Sequence, residues 1–173
     1  PGRRSMQNRD IDEFFAEADL TDCVARQDQP PVAFWEFRGL GFPMIIQTQE
    51  AADRMRIVAF IGDAGELSGE QMQVLLEANY HSALDARYAV TDGHLVAVFL
   101  HPFEELSETQ FILGLFQVIN CAATCGTTFS GGTMVFGTQQ EPPMGTDGAN
   151  LVDEVRRDIR GEVIAMIRGG DEE

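Results

Sequence analysis

The pair Asp92-Gly93 constrains this chain more than any other feature, because a two-residue turn of this composition between extended runs specifies a β-hairpin. The run before it, Arg87–Val90, is short. The run after it, His94–Leu100, carries Val96, Ala97, Val98, Phe99 and Leu100 in succession, so both faces of its pleat are apolar and both need cover. Ser107 and Gln110 then have capping-box spacing and open a helix over 107–124. Its polar or tiny positions, Gln110, Gly114, Gln117, Asn120 and Thr124, form one narrow stripe, while Phe111, Ile112, Leu113, Leu115, Phe116, Val118 and Ile119 wrap the rest. A surface helix needs a single apolar stripe. This one is expected to touch a sheet on one side and another body on the other.

The remaining elements read as cover for that unit. Asp10 and Glu13, with Ile11, Phe14, Phe15 and Ala18 at helical spacing, predict a short helix over 10–20. Thr21–Pro31 is polar and ends in Pro30-Pro31, which stops any helix and starts an extended segment. Three strand-like runs follow, Val32–Arg38, Met44–Thr48 and Arg56–Ile61, with Gly39 and Gly41 at the first turn; such short connections imply an antiparallel meander. Aromatic residues occur on both faces of the first run, so one face is expected to look outward. Ser68 and Gln71 cap a helix over 68–79 containing Met72, Leu75 and Leu76. Beyond Thr127 the composition turns to Gly, Thr and Ser. Thr133–Phe136 suits one further short strand, and a final amphipathic helix places Val152, Val155, Ile159, Val163 and Ile167 on one face. The expected organisation is a disordered or expression-derived terminus over 1–9, an α+β domain over 10–136, a Gly/Pro linker over 137–149, the helix 150–168 and an acidic tail over 169–173. The fold class is α+β: helix, three strands, helix, two strands, helix, with an antiparallel sheet carrying helices on one face.

At 173 residues the chain suits one domain with an appendage. The formal charge is −16, from 28 acidic residues against 12 basic ones, all of them Arg. Absence of lysine removes Schiff-base chemistry and the phosphate-gripping lysine of P-loops. So negative a chain repels phosphate backbones and anionic membranes, so nucleic acid is not an expected partner. Acidity without lysine also fits a chain adapted to salt or encoded in a biased genome, and by itself assigns no acidic function. Cys23, Cys121 and Cys125 cannot all pair within one chain, which favours a reducing compartment and a cytoplasmic location. No apolar run reaches the roughly 20 residues of a membrane span, so no membrane insertion is expected.

No catalytic constellation is present. Gly126-Thr-Thr-Phe-Ser-Gly131-Gly132-Thr133 imitates a P-loop but has Gly where Lys is required, and it follows a helix. Cys121 and Cys125 lie one helical turn apart with His81, His94 and His101 upstream, a possible zinc set that lacks the tight Cys loop of structural sites; core filling is the plainer reading. His101 with Cys121 or Cys23 has no accompanying oxyanion-hole or orienting-carboxylate signature. Glu104-Glu105, Asp12-Glu13 and Asp153-Glu154 sit at or just before helix starts, where carboxylates favour the positive dipole end. No cofactor or metal is expected.

Taken together, Leu75-Leu76-Glu77-Ala78-Asn79-Tyr80, Ala86-Arg87-Tyr88-Ala89-Val90, Asp92-Gly93, Leu95-Val96-Ala97-Val98 and Leu106 leading into a helix resemble the central signature of the type III secretion chaperone-like superfamily, which includes CesT-type effector chaperones and YbjN-like proteins. The likeness covers about residues 10–126 and includes the order of elements. It implies a small acidic homodimer without enzymatic activity that binds an extended segment of a protein partner across apolar patches. Carried onto this sequence, it makes Phe15, Phe34, Trp35, Phe37 and Ile45 partner-surface candidates, and Met72, Leu75 and Leu76 dimer-contact candidates. The short first helix and the extension beyond the third favour a YbjN-like relative. The expected function is a non-catalytic binding protein, a chaperone of an extended client or a regulatory adaptor. The alternative is a small-molecule sensor with a pocket between the helix 107–124 and the sheet.

Overall fold

The computed structural model describes residues 5–81, 83–126 and 159–169. In chain order the elements are α1 (Asn8–Glu17), β1 (Ala25–Gln29), β2 (Val32–Gly39), β3 (Phe42–Gln49), β4 (Arg54–Asp63), α2 (Gly69–His81), β5 (Arg87–Thr91), β6 (His94–His101), α3 (Glu108–Thr124) and α4, residues 159–168. The strands form one antiparallel six-stranded sheet in the order β1-β2-β3-β4-β6-β5.

The expected α+β architecture is present, and among the described residues it includes one strand, β1, that the sequence does not predict. β1 lies inside the polar stretch read as irregular, and every residue of it is exposed. A strand without an apolar residue larger than Ala leaves no period-2 signal. It forms because Ala25–Gln29 pair with Val32–Glu36 across the turn at Pro30-Pro31, and Arg26 ties back to Asp12 and Asp28. Its charges also protect an open sheet edge from unwanted pairing.

The Asp92-Gly93 hairpin is as expected. Asp92 and Gly93 both have positive φ, 48° and 78°, the pattern of a two-residue turn that matches strand twist. The β2–β3 turn uses Leu40 and Gly41 at φ 49° and 81° instead of two glycines, because Gly39 is still in β2. Gly39 is needed there for another reason: a Cβ would lie 2.9 Å from the Ile119 side chain of α3.

Reciprocal capping opens two helices as predicted. Ser68 N–H donates to Gln71 and Gln71 N–H to Ser68 Oγ at the start of α2, and Ser107 and Gln110 do the same at α3. α1 begins two residues before the predicted start, with the Asp10 carboxylate accepting from Gln7 N–H at 2.6 Å.

One core holds these parts together. Register puts Ala33, Trp35, Phe37, Met44, Ile46, Met55, Ile57, Ala59, Ala97 and Phe99 on the same sheet face, and all are buried. Against them pack Ile11, Phe14 and Phe15 of α1, Leu75 and Ala78 of α2, the buried side of α3, and Val163 and Ile167 of α4. Gly114 lets α3 approach closely, since a Cβ there would meet the Phe99 ring at 2.8 Å. The second body expected beside α3 belongs to the chain itself. Phe14 of α1 meets Phe111 edge-on at 5.5 Å, and Gln117 accepts from the Asp85 and Ala86 N–H groups of the segment before β5. α4 bridges several parts: Arg160 pairs with Glu17 and Glu108 and lies over the Phe14 ring, Arg168 donates to the Ala18 carbonyl, and the Met166 carbonyl accepts from Leu40 N–H. The expected strand 133–136, the linker 137–149 and residues 150–158 of the final helix lie outside the described residues.

Candidate interaction surfaces

With helices gathered on one face, the other sheet face is uncovered among the described residues. Register builds it row by row. One row runs Glu36, Ile45, Val58, Val98, Arg87; a second runs Phe34, Gln47, Arg56, Leu100; a third runs Arg38, Pro43, Phe60, Val96, Ala89. Ile45, Val58, Phe60 and Val98 are half-buried neighbours across β3, β4 and β6, Val96 in the same field is buried, and Leu100 beside them is 59% exposed. Apolar surface left part-exposed on neighbouring strands in this way marks interaction sites in globular proteins.

The second surface lies at the β5 edge. The edge-facing backbone of buried Tyr88 donates its N–H to Asn79 Oδ1 at 2.7 Å and accepts from Asn79 Nδ2 at its carbonyl at 3.0 Å. The side-chain amide of α2 therefore stands in for a neighbouring strand and closes the sheet edge at Tyr88. Beyond it, Leu67, Met72, Leu75, Leu76, Tyr88, Val90 and Leu95 line an apolar groove of about 230 Å³. Met72, Leu76 and Tyr80 follow at four-residue spacing along α2, and Leu76 and Tyr80 are 68% and 80% exposed. Val90 is exposed beside them.

Strand parity divides the predicted site residues. Phe34 and Ile45 are half-buried on the open face. Trp35 and Phe37 point the other way, and Phe15 packs on Phe37 at 5.3 Å; all three are buried in the core and offer no partner surface as placed. Trp35 is fixed from two sides, donating its ring N–H to Asp12 at 2.8 Å with the Arg26 guanidinium over its ring. Of the dimer candidates, Met72 and Leu76 face outward while Leu75 enters the core. Sequence reasoning did not single out Val58, Phe60, Val98 or Tyr80 for these surfaces. For Val58 and Phe60 the signal was available in their shared parity with Arg54 and Arg56 in β4; the continuous apolar run of β6 marks no face for Val98. The Asn79 clamp had only the Leu-Leu-x-x-Asn spacing to announce it.

The cysteine pair occupies the end of α3. Tyr88 Oη donates to the Cys121 carbonyl at 2.7 Å. Burial, helped by the nearby Cys125, pushes the Cys121 thiol up to about 11. Burial raises Cys125 as well, and raises the Tyr88 phenol together with both neighbouring thiols. A nucleophilic cysteine needs the opposite shift, so the environment is that of packing. His94 and His101 stand at opposite ends of β6. Among the described residues no group of three metal-ligating side chains converges, and no helix is long and apolar enough to cross a membrane. The α3–sheet contact is close at Gly114, but at its margin Asp85, Arg87, Phe99, His101, Gln110 and Gln117 line a mixed groove of about 290 Å³.

Fold and surfaces together define an α+β domain with a one-sided helical layer and an apolar open sheet face. No protein-family model matches the chain, and no curated protein matches it in sequence. Among solved structures, a chain in the crystal structure of the ExsC-ExsE complex is similar at 15% identity and a TM-score of 0.44, over 76% of this chain and 95% of that one.

Proposed function

We propose that this protein is a non-catalytic, cytoplasmic binding protein that takes an extended segment of a partner protein on the open face of its sheet and works as a homodimer. The observation that carries the reading is the uncovered apolar field of Ile45, Val58, Phe60, Val98 and Leu100, with Phe34 at its margin. A sheet that carries its helices on one face, with the other uncovered among the described residues, is suited to receiving an extended chain through alternate side chains. The outward stripe Met72, Leu76 and Tyr80 with Val90 supplies the dimer contact in this reading; Leu75 supports it from within. The resemblance of Leu75–Tyr80 and the following hairpin to the type III secretion chaperone-like superfamily supports the same reading. The additional helix α4 favours its YbjN-like branch.

The experiment is co-isolation of native partners with the full chain and with I45S/V98S, whose side chains lie on the open face. Loss of a specific protein with an unchanged circular dichroism spectrum supports the proposal; an identical set of partners refutes it. Leu76→Asp tests the dimer separately: light scattering should shift from dimer to monomer at micromolar concentration. The small-molecule reading has one observation in its favour, the groove beside Gln117 and Arg87. A metabolite that raises the melting temperature of wild type but not of Q110A would support it.

A further inference from the structure

We infer that the partner segment is acidic as well as apolar, an inference that rests on the open-face reading above. The ground is an unequal placement of arginines. On the helical side Arg9, Arg26 and Arg160 each pair with carboxylates, and Arg168 anchors α4. Register places three others, Arg38, Arg54 and Arg56, on the open face, whereas the Arg87 guanidinium turns to the β5 edge and lines the groove beside Gln117. None of these three forms an ion pair among the described residues: Arg38 donates to the Gly41 carbonyl and Arg54 to that of Asp53. The acidic residues on that face are Glu36 and Asp63, and Asp63 is held by the Gly65 N–H at 2.7 Å. A molecule of net charge −16 thus presents a face where basic groups outnumber acidic ones and stand beside apolar ones.

β4 shows the pattern most clearly. Its open-face residues are, in order, Arg54, Arg56, Val58 and Phe60. An extended segment lying over this strand turns every second side chain toward it, with a repeat of roughly 6.6 Å. Complementarity then calls for two carboxylates followed by two apolar side chains at alternate positions, read along the segment in the matching direction. The Arg54 and Arg56 guanidinium groups meet no carboxylate among the described residues and have the donor geometry to take those of the segment in two-pronged hydrogen bonds. Negative charge elsewhere on the molecule repels competing acidic chains that lack the apolar half.

The test uses the full chain and two labelled twelve-residue peptides, one with Asp, Asp, Val and Phe at alternate positions and one with Lys in place of both Asp. Fluorescence anisotropy should show the Asp peptide binding about tenfold tighter at low salt, a preference that shrinks as salt screens it. R54E/R56E should reverse the preference toward the Lys peptide, and R54Q/R56Q should abolish it without reversing it. Equal binding of both peptides, unchanged in R54E/R56E but lost in I45S/V98S, would overturn the acidic inference and leave the protein-binding reading intact. Failure of both peptides to bind, with I45S/V98S keeping its native partners, would overturn both. Tighter binding of an oligouridine than of the Asp peptide would overturn the choice of a protein segment. Binding that requires D171N/E172Q/E173Q would show the face held by the chain's own acidic end, and would equally overturn it.

Discussion

Asn79 shows how one side chain decides what a sheet edge can do. Its amide satisfies both outward backbone groups of Tyr88, leaving pairing at that point closed to another strand. Asn79→Ala strands a part-buried donor and acceptor, and should cost about 1–3 kcal/mol. Urea denaturation should show a lower midpoint at an unchanged slope. The Cys121 thiol makes a second prediction. Its folded value of about 11 exceeds the 9.0 of an unperturbed thiol, so its contribution is complete below about pH 9 and is lost as pH rises toward 11. Tyr88, also raised, extends the loss further into alkali. Stability measured across that window should fall less steeply in Cys121→Ala than in wild type. Sequence reading at this scale found the residues of the Leu-Leu-x-x-Asn spacing without the clamp, because spacing does not reveal what an amide will bond. It also could not choose between the two parities of β2. Phe34 and the pair Trp35 and Phe37 are all aromatic-bearing positions, and only the helices packed beneath Trp35 decide which is core.

The elements divide by how their burial is written. α3 and β6 were legible because an apolar run next to Asp92-Gly93 and a Ser107–Gln110 box admits few readings. β1 was not, since its pairing rests on backbone hydrogen bonds and exposed charges. α4 was legible as a helix through Val163 and Ile167, but its docking on α1, α3 and the β2–β3 turn depends on long-range partners such as Glu17, Glu108 and Leu40. That docking answers part of the surplus apolar surface of the hairpin–helix unit. Ile167 is fully buried there, so Ile167→Ala should lower stability by about 3 kcal/mol. Thermal unfolding would then show a single transition at lower temperature; an unchanged midpoint would mean that α4 does not hold the core.

At the scale of the molecule, charge and shape point the same way. A chain this acidic spends its carboxylates on helix starts, on pairs with Arg26 and Arg160, and on solvent, and leaves the open sheet face with arginines that pair with no carboxylate among the described residues, around an apolar field. The α+β order and one-sided helical layer were readable from the sequence; which strand face stays open was not, because it required knowing which side the helices cover. The central claim is that this face receives a protein. Its most direct measurement is photo-crosslinking in the native host, with a benzophenone side chain at position 45 and a control at exposed Gln71 on α2. Discrete protein adducts from position 45 that are absent from position 71 are predicted. No adduct at 45, or the same adducts from both positions, would contradict the account.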